Sequence, residues 1–237
     1  MQTDKSYHYF DTITALFCVV LVVSNIASSA KIVDWGSSIM GVPLAFDAGT
    51  ILFPISYIFG DILTEVYGYK RSRKVIWTGF TVLILSSFVF WLISMLPGES
   101  TWQQYAGDAA YVAILGGMST GGIVLASLAG YLIGEFTNSI ILAKMKVITS
   151  GRFLWLRTIG STLFGQFVDT LAFILAASFF GVFPWSLFIT LFVSNFIFKV
   201  AIEVIMTPAT YGVIHWLKRV ENQDYYDRDT NFNPFRA

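Results

Sequence analysis

The stretch of sequence that decides the fold runs from Val75 to Leu96 and reads VIWTGFTVLILSSFVFWLISML. It contains no charged residue, and about 20 apolar residues are enough for an α-helix to cross the hydrocarbon core of a bilayer. Of all 237 residues, 55% are hydrophobic and only 13% are charged. A water-soluble domain carries about 25% charged residues. The stretch therefore predicts a membrane-spanning helix, and the composition predicts an exterior that mostly faces lipid.

Five further apolar stretches are long enough to cross a bilayer, so the sequence predicts six spans. In chain order they are residues 13–30, 43–63, 75–96, 123–143, 159–180 and 185 to about 207, the last being bent or continued after Pro208. We expect residues 111–117 to form a short interfacial or re-entrant piece. The predicted fold is an all-α membrane protein whose six-transmembrane-helix bundle occupies residues 1–220.

Basic residues are concentrated in three of the loops, and these loops set the predicted orientation. They are Lys70, Arg71, Arg73 and Lys74, then Lys144, Lys146, Arg152 and Arg157, and finally Lys218 and Arg219. By the positive-inside rule these loops face the cytoplasm, and six crossings then place both termini there. Residues 221–237 are polar and rich in Asn and Asp, so we expect a solvated cytoplasmic C-terminal tail without a fold of its own.

Several classes of function find no support in the sequence. The formal net charge is zero, so no electrostatic argument points to nucleic acid as a partner. The only cysteine is Cys18, and His8 and His215 are isolated, so no metal site is predicted. Motifs for nucleotide hydrolysis, zinc proteolysis and serine hydrolysis do not occur. We therefore expect neither an enzyme nor a cofactor, while a homo-oligomer stays open.

Polar and ionisable residues recur inside the predicted spans at helical spacing, so each set shares one face of its helix. The sets are Tyr57, Asp61 and Glu65 in the second span, Tyr131, Glu135 and Asn138 in the fourth, Thr162, Gln166, Asp169 and Phe173 in the fifth, and Asn195, Lys199 and Glu203 in the sixth. An ionisable residue within a span costs at least ~2.5 kcal/mol on insertion scales, so it normally faces the bundle interior and often marks a pathway. Counted from the basic loops at ~1.5 Å per residue, Asp169 and Glu203 lie near the bilayer midplane, where secondary transporters hold substrate.

Structural roles compete with a ligand site for some of these residues. Lys199 and Glu203 lie one helical turn apart and could form a structural ion pair. Glu65 could pair with the basic residues of the 70–74 loop, and Asp61 could cap backbone groups freed by a broken helix. Two pairs of glycines with small-xxx-small spacing predict close helix packing: Gly117 with Gly121, and Gly130 with Gly134.

Three stretches carry most of these polar residues. They are FPISYIFGDILTEVYGY from Phe53 to Tyr69, continued by Lys70 and Arg71; GEFTNS from Gly134 to Ser139, running on to LAKMK at Lys146; and LWLRTIGST from Leu154 to Thr162, followed by Gly165, Gln166, Asp169 and Thr170. In this order they resemble the signature of the queuosine precursor transporter family of bacterial inner-membrane proteins. The resemblance extends from Ser24 and Asn25 to Pro208, nearly the whole chain.

The resemblance implies both a substrate and a fold. The substrate class is 7-deazaguanine bases, chiefly 7-cyano-7-deazaguanine and 7-aminomethyl-7-deazaguanine, taken up for salvage into tRNA queuosine. The fold would be similar to the six-helix substrate-binding components of energy-coupling-factor vitamin transporters. Transport could be coupled to protons or be facilitated diffusion. An alternative interpretation is a substrate-binding subunit of an ATP-driven uptake complex for a nucleobase or vitamin.

The chemistry of a 7-deazaguanine fits the residue types in the predicted interior. A carboxylate can accept two adjacent N–H groups side by side, an amide can serve the ring carbonyl, and aromatic faces can sandwich the ring. The carboxylate that binds the base is Glu135, Asp169 or Glu203, and the sequence leaves these three open. The predicted substrate-binding residues are Asn25, Phe53, Tyr57, Asp61, Glu135, Asn138, Gln166, Asp169, Lys199 and Glu203.

Overall fold

The structure is a computed structural model that describes residues 7–39, 42–119 and 122–236. Its long apolar segments are helical because, in lipid, a helix satisfies its backbone N–H and C=O groups within the segment itself. The helices are α1 (Phe10–Ala30), α2 (Phe53–Tyr67), α3 (Tyr69–Ser94), α4 (Ser100–Tyr105), α5 (Gly107–Ser119), α6 (Gly122–Ile148), α7 (Leu154–Phe179) and α8 (Phe188–Val220).

The described residues contain six segments that are long and apolar enough to cross a membrane. They are Phe10–Ala30, Ala48–Tyr67, Tyr69–Ser94, Gly107–Ile148, Leu154–Phe179 and Trp185–Val220. The predicted all-α architecture of six spans is thereby confirmed. The last helix continues through Pro208 to Val220, which was one of the two predicted courses.

The second span begins later than predicted. Residues Val42–Asp47 form a strand, β2, which pairs antiparallel with β1 (Ile32–Ile39) and places Ile32 opposite Asp47. A 3₁₀ turn over Ala48–Ile51 then leads into α2. Phe46 stacks on Phe198 of α8 with ring centroids 4.3 Å apart, so the hairpin packs against the helices. A short apolar run fits a strand as well as a helix, and for that reason hydropathy assigned residues 43–47 to the span.

The short interfacial or re-entrant piece expected at residues 111–117 is part of a helix of 13 residues, and its place relative to the bilayer stays a prediction. These residues belong to α5, which packs against α1 and α3. Tyr111 donates its hydroxyl hydrogen to the Phe90 carbonyl at 2.7 Å, and the Gly117 N–H donates to the Ser29 hydroxyl oxygen at 2.9 Å. These contacts hold α5 beside the neighbouring spans. Gly121, the second member of one predicted packing pair, lies outside the described residues.

Helices α6 and α7 pack closely because glycines lie where they meet. A Cβ atom added at Gly134 would overlap the Tyr57 hydroxyl and lie 2.6 Å from the Asp169 Cβ. One added at Gly165 would lie 2.8 Å from the Asn138 Cβ. The predicted packing role of the Gly130 and Gly134 pair is confirmed. This close approach is also what brings the polar residues of the two helices together.

The C-terminal tail is not the solvated extension that we expected. The Glu221 carboxylate accepts hydrogen bonds from the backbone N–H groups of His8 and Tyr9, at 3.1 and 2.7 Å, and from the Tyr67 hydroxyl at 3.1 Å. Asp227 accepts from the Tyr69 N–H at 3.0 Å. The start of α1 and the end of α8 therefore lie at the same end of the bundle.

The last part of the tail runs along α3. Arg73 donates to the carbonyl oxygens of Asn231 and Asn233 at 3.3 and 2.7 Å, and Trp77 donates its indole N–H to the Pro234 carbonyl at 2.9 Å. Residues 223–236 contain no helix or strand. Their order comes from side chains of α3 that bind their backbone, which periodicity within the tail cannot indicate.

Candidate functional site

Four helices each contribute one carboxyl group to the same interior region. Asp61 on α2 and Glu135 on α6 are fully buried, Glu203 on α8 is 1% exposed and Asp169 on α7 is 8% exposed. Glu135 interacts electrostatically with each of the other three. We call these four residues, together with Lys199, the central cluster.

Lys199 reaches across from α8 to α7 and does not pair along its own helix. Its Nζ lies 2.7 Å from the Asp169 Oδ2 and 5.4 Å from the centre of the Phe53 ring. The alternative of a structural ion pair between Lys199 and Glu203 is therefore wrong. Spacing of one helical turn permits such a pair, but the partner in the structure is supplied by the neighbouring helix.

Asp61 is tied to α6 by an amide. Asn138 donates its side-chain N–H to the Asp61 Oδ1 at 2.7 Å, and both residues are fully buried. The alternative in which Asp61 caps the backbone of a broken helix is wrong, because α2 is continuous through this position. The other oxygen of Asp61 and the amide oxygen of Asn138 have no hydrogen-bond partner among the described residues.

On the four helices that carry the central cluster, many polar atoms are buried without a hydrogen-bond partner among the described residues. They are both carboxylate oxygens of Glu135, both amide atoms of Gln166, the hydroxyl groups of Tyr57, Thr162 and Thr170, and the Oε2 of Glu203. The Ser56 hydroxyl is near Glu135 but donates to the Phe53 carbonyl. A buried polar atom left unpaired costs about 1–3 kcal/mol. Donors and acceptors gathered in this way can be satisfied by a bound polar molecule.

One predicted site residue is not part of this group, and one polar residue was missed. The Asn25 amide donates to the Leu21 carbonyl of its own helix at 2.9 Å, which is a local contact. Thr170 is buried with an unpartnered hydroxyl and was not predicted. The signal in the sequence was its place, directly after Asp169, in the third stretch that resembles the transporter family.

A second buried charged group lies at the end of the bundle where the tail packs. Arg157 donates to Glu65 through Nε and Nη2 at 2.9 and 2.8 Å, and Lys218 lies 2.6 Å from the same carboxylate. Lys146 is 3.4 Å from Glu65 and also pairs with Asp224 of the tail. The predicted pairing of Glu65 with residues 70–74 is therefore wrong, because the nearer basic groups come from α6, α7 and α8.

Asp224 is the one member of this second group that lies outside the spans. Burial alone would raise the pKa of Asp224, but hydrogen bonds from Lys146 and Lys218 lower it overall. Its carboxylate lies 2.9 Å from the Lys218 Nζ. The second group thus pairs both its buried acid, Glu65, and the more exposed Asp224 with bases, in contrast to the central cluster.

Other features of the described chain do not form a comparable site. Within residues 7–39, 42–119 and 122–236, no three His, Cys, Asp or Glu residues are arranged to hold a metal ion. A surface cavity of about 410 Å³ lies against α8 beside Tyr211 and Trp216. Another of about 290 Å³ lies under the tail beside Lys70 and Arg73. Neither of these cavities is lined by a residue of the central cluster.

Comparison with known proteins shows which family the chain matches. Residues 47–213 match the family described as "Putative vitamin uptake transporter". The chain is 26% identical over 191 residues to "Queuosine precursor transporter" of Escherichia coli (strain K12), covering 80% of each chain. It is 28% identical over 166 residues to "Probable queuosine precursor transporter" of Bacillus subtilis (strain 168), covering 69% of each chain.

A third relative and the absence of a structural match complete the comparison. "Probable queuosine precursor transporter" of Haemophilus influenzae is 25% identical over 168 residues, which cover 70% of this chain and 67% of the relative. No solved structure matches the chain, so similarity to energy-coupling-factor components stays a prediction. The family match includes α2, α6, α7 and the part of α8 that carries Lys199 and Glu203. The chain therefore belongs to this vitamin uptake transporter family, the family of the queuosine precursor transporters.

Proposed function

We propose that this chain imports 7-deazaguanine precursors of queuosine across the bacterial inner membrane. The observation that carries the proposal is the set of buried donors and acceptors without partners among the described residues on the four spans of the central cluster. The relatives are named as queuosine precursor transporters, which supports this substrate class, and the six apolar spans support a location in the bilayer. A flat base rich in hydrogen-bonding groups is a ligand that this interior can satisfy.

Among the three acids that the sequence left open, we propose Glu135 as the one that binds the base. An N–H pair on the edge of a guanine-like ring needs two carboxylate oxygens side by side. Both oxygens of Glu135 are without partners, whereas Asp169 is already bound to Lys199. Glu203 has one oxygen without a partner. Glu135 also interacts electrostatically with Asp61, Asp169 and Glu203, one acid on each of the other three helices of the cluster.

The remaining predicted residues divide into two roles. Gln166 has both amide atoms unpartnered, so it can donate to the ring carbonyl and accept from an N–H. Phe53 and Tyr57 supply aromatic faces beside the cluster. Asn138 and Lys199 fix the carboxylates of Asp61 and Asp169 in place. Asn25 has no part in this proposal.

The proposed orientation places both termini and the tail in the cytoplasm. Arg73, Lys146, Arg157 and Lys218 lie at the end of the bundle where the tail packs, and the positive-inside rule assigns basic ends to the cytoplasm. The central cluster then lies between this end and the hairpin. We propose transport without chemical conversion of the base, in keeping with a family of transporters.

Uptake of radiolabelled 7-cyano-7-deazaguanine tests the proposal. Cells that cannot make the base should accumulate it when they carry this protein and should not when they carry Glu135→Gln at equal membrane level. Glu99→Gln, the same substitution in an exposed loop, is the matched control and should transport normally. Lack of uptake by the wild-type chain would contradict the proposal.

Purified protein in liposomes separates a self-sufficient transporter from a subunit of an ATP-driven complex. We expect the chain alone to exchange labelled base for unlabelled base across the liposome membrane. Binding in detergent without any exchange in liposomes would favour the binding-subunit interpretation.

A further inference from the structure

The central cluster contains more acidic than basic groups. Once Lys199 is paired with Asp169, the carboxyl groups of Asp61, Glu135 and Glu203 have no basic side chain against them among the described residues. All three are buried, and burying a carboxylate without a compensating positive charge is strongly unfavourable. Something other than the protein's own lysines and arginines must therefore neutralise these groups.

Where a buried acid has a structural role, the chain does place basic side chains against it. Glu65 is as deeply buried as Glu135, yet Arg157, Lys146 and Lys218 all contact it. Helices α6, α7 and α8 contribute both to this group and to the central cluster. The difference between the two groups thus comes from which side chains are placed there, and the central cluster is built to accept positive charge.

Asp61 and Glu203 are buried acids on two helices that pack against each other. They interact electrostatically across the contact between α2 and α8. The Oδ2 of Asp61 and the Oε2 of Glu203 are both buried and without partners, while the other Asp61 oxygen is held by Asn138. An ammonium group has three donors and can bridge two carboxylates.

We infer that Asp61 and Glu203 bind the protonated amine of 7-aminomethyl-7-deazaguanine, so that the protein selects a cationic over a neutral group at position 7. This inference rests on the proposed function. A primary alkyl amine is protonated at neutral pH, as the lysine side chain is. If Glu135 binds the N–H edge of the six-membered ring, the substituent at position 7 lies on the opposite side of the base, and a second acidic site must meet it there.

Three bases that differ only at position 7 test the inference without any mutation. Isothermal titration calorimetry of the purified protein in detergent at pH 7 would compare 7-aminomethyl-, 7-hydroxymethyl- and 7-cyano-7-deazaguanine. A hydrogen-bonded charge pair corresponds to a preference of about tenfold or more. We expect the aminomethyl base to bind at least about tenfold tighter than the hydroxymethyl base, which is nearly its size but neutral.

Equal affinities for these two bases would overturn the inference and show that protons neutralise the cluster. If none of the three bases bound, the proposed function itself would be overturned. The two failures are therefore distinguishable in a single titration series.

A charge-removing variant tests the assignment to Glu203. Glu203→Gln should reduce the preference for the aminomethyl over the hydroxymethyl base by about tenfold, because one of the two carboxylates is lost. Glu99→Gln should leave the preference at the wild-type value. An unchanged preference in a folded Glu203→Gln protein would overturn the assignment, and if this variant did not fold, the wild-type comparison would still decide the inference.

Discussion

Arg157 of α7 and Glu65 of α2 form a bidentate ion pair, with Nε and Nη2 at 2.9 and 2.8 Å from the two carboxylate oxygens. Both side chains are buried. Lys218 of α8 and Lys146 of α6 approach the same carboxylate. One acid thus joins four helices at the end of the bundle opposite the hairpin, and the central cluster lies along the same helices.

The ion pair should be essential for stability. Removing one partner of a buried pair costs about 3–5 kcal/mol, and Arg157→Met should lie near the lower bound because the lysines still face Glu65. Thermal unfolding in detergent would measure the loss. Arg152→Ala changes an exposed arginine in the loop just before α7; it is the control and should change stability by less than about 0.5 kcal/mol. Equal stability of the two variants would contradict this role.

The tail should be held in place by Asp224. Asp224→Asn removes the charge that pairs with Lys146 and Lys218, so the tail should detach more often. Limited digestion with trypsin would show faster cleavage after Arg228, which is exposed. Asp229→Asn changes an exposed carboxyl group in the same segment and should be cut at the wild-type rate. Identical rates for all three proteins would show that other contacts hold the tail.

Features that are set by residues close together in the chain could be predicted from the sequence, whereas contacts between helices could not. The spans and their polar faces follow from composition and from the 3.6-residue period, and the structure contains them. Partners could not be predicted, because they depend on how neighbouring helices are placed. Lys199 has Glu203 one turn away on its own helix, yet it binds Asp169.

The tail and the hairpin were missed for related reasons. The tail is ordered by α3 side chains such as Arg73, which bind its carbonyl groups. Nothing in the composition of residues 221–237 indicates those partners. In the hairpin, the short apolar strand Val42–Asp47 could not be distinguished from the start of a span. The order of polar residues did lead to the right family, although not to their contacts.

The close contact of α6 and α7 should depend on Gly165. A Cβ there would lie 2.8 Å from the Asn138 Cβ and 3.1 Å from the Tyr57 ring, so Gly165→Ala should force the helices apart. Overpacking of this kind costs roughly 1–3 kcal/mol. Gly212→Ala adds a methyl group where nothing lies within 4 Å and should be neutral or stabilising. Thermal unfolding of both variants would show whether only Gly165 requires glycine.

The membrane orientation should follow the basic loops. Reporter tags at both termini, at the junction of α2 and α3 beside residues 70–74, and in the connection between α6 and α7 should all respond as cytoplasmic. A tag between Glu99 and Asp108 should respond as external. Single cysteines labelled by an impermeant reagent, in a background with Cys18 replaced, would check the result independently. An external junction of α2 and α3 would reverse the orientation.

Variants of Lys199 and Asp169 can distinguish a structural role of this ion pair from a role in transport. Lys199→Met should destabilise the protein by about 3 kcal/mol or more, because Asp169 would be left buried without its partner. The double variant Lys199→Met with Asp169→Asn should recover most of that stability, since no unpaired charge remains. If the pair belongs to the substrate site, the double variant should still fail to take up 7-cyano-7-deazaguanine. Thermal unfolding and uptake, measured on both single variants and the double, complete the cycle. A stable double variant with full uptake would assign this pair to the scaffold and restrict the site to Glu135, Glu203 and their neighbours on α2.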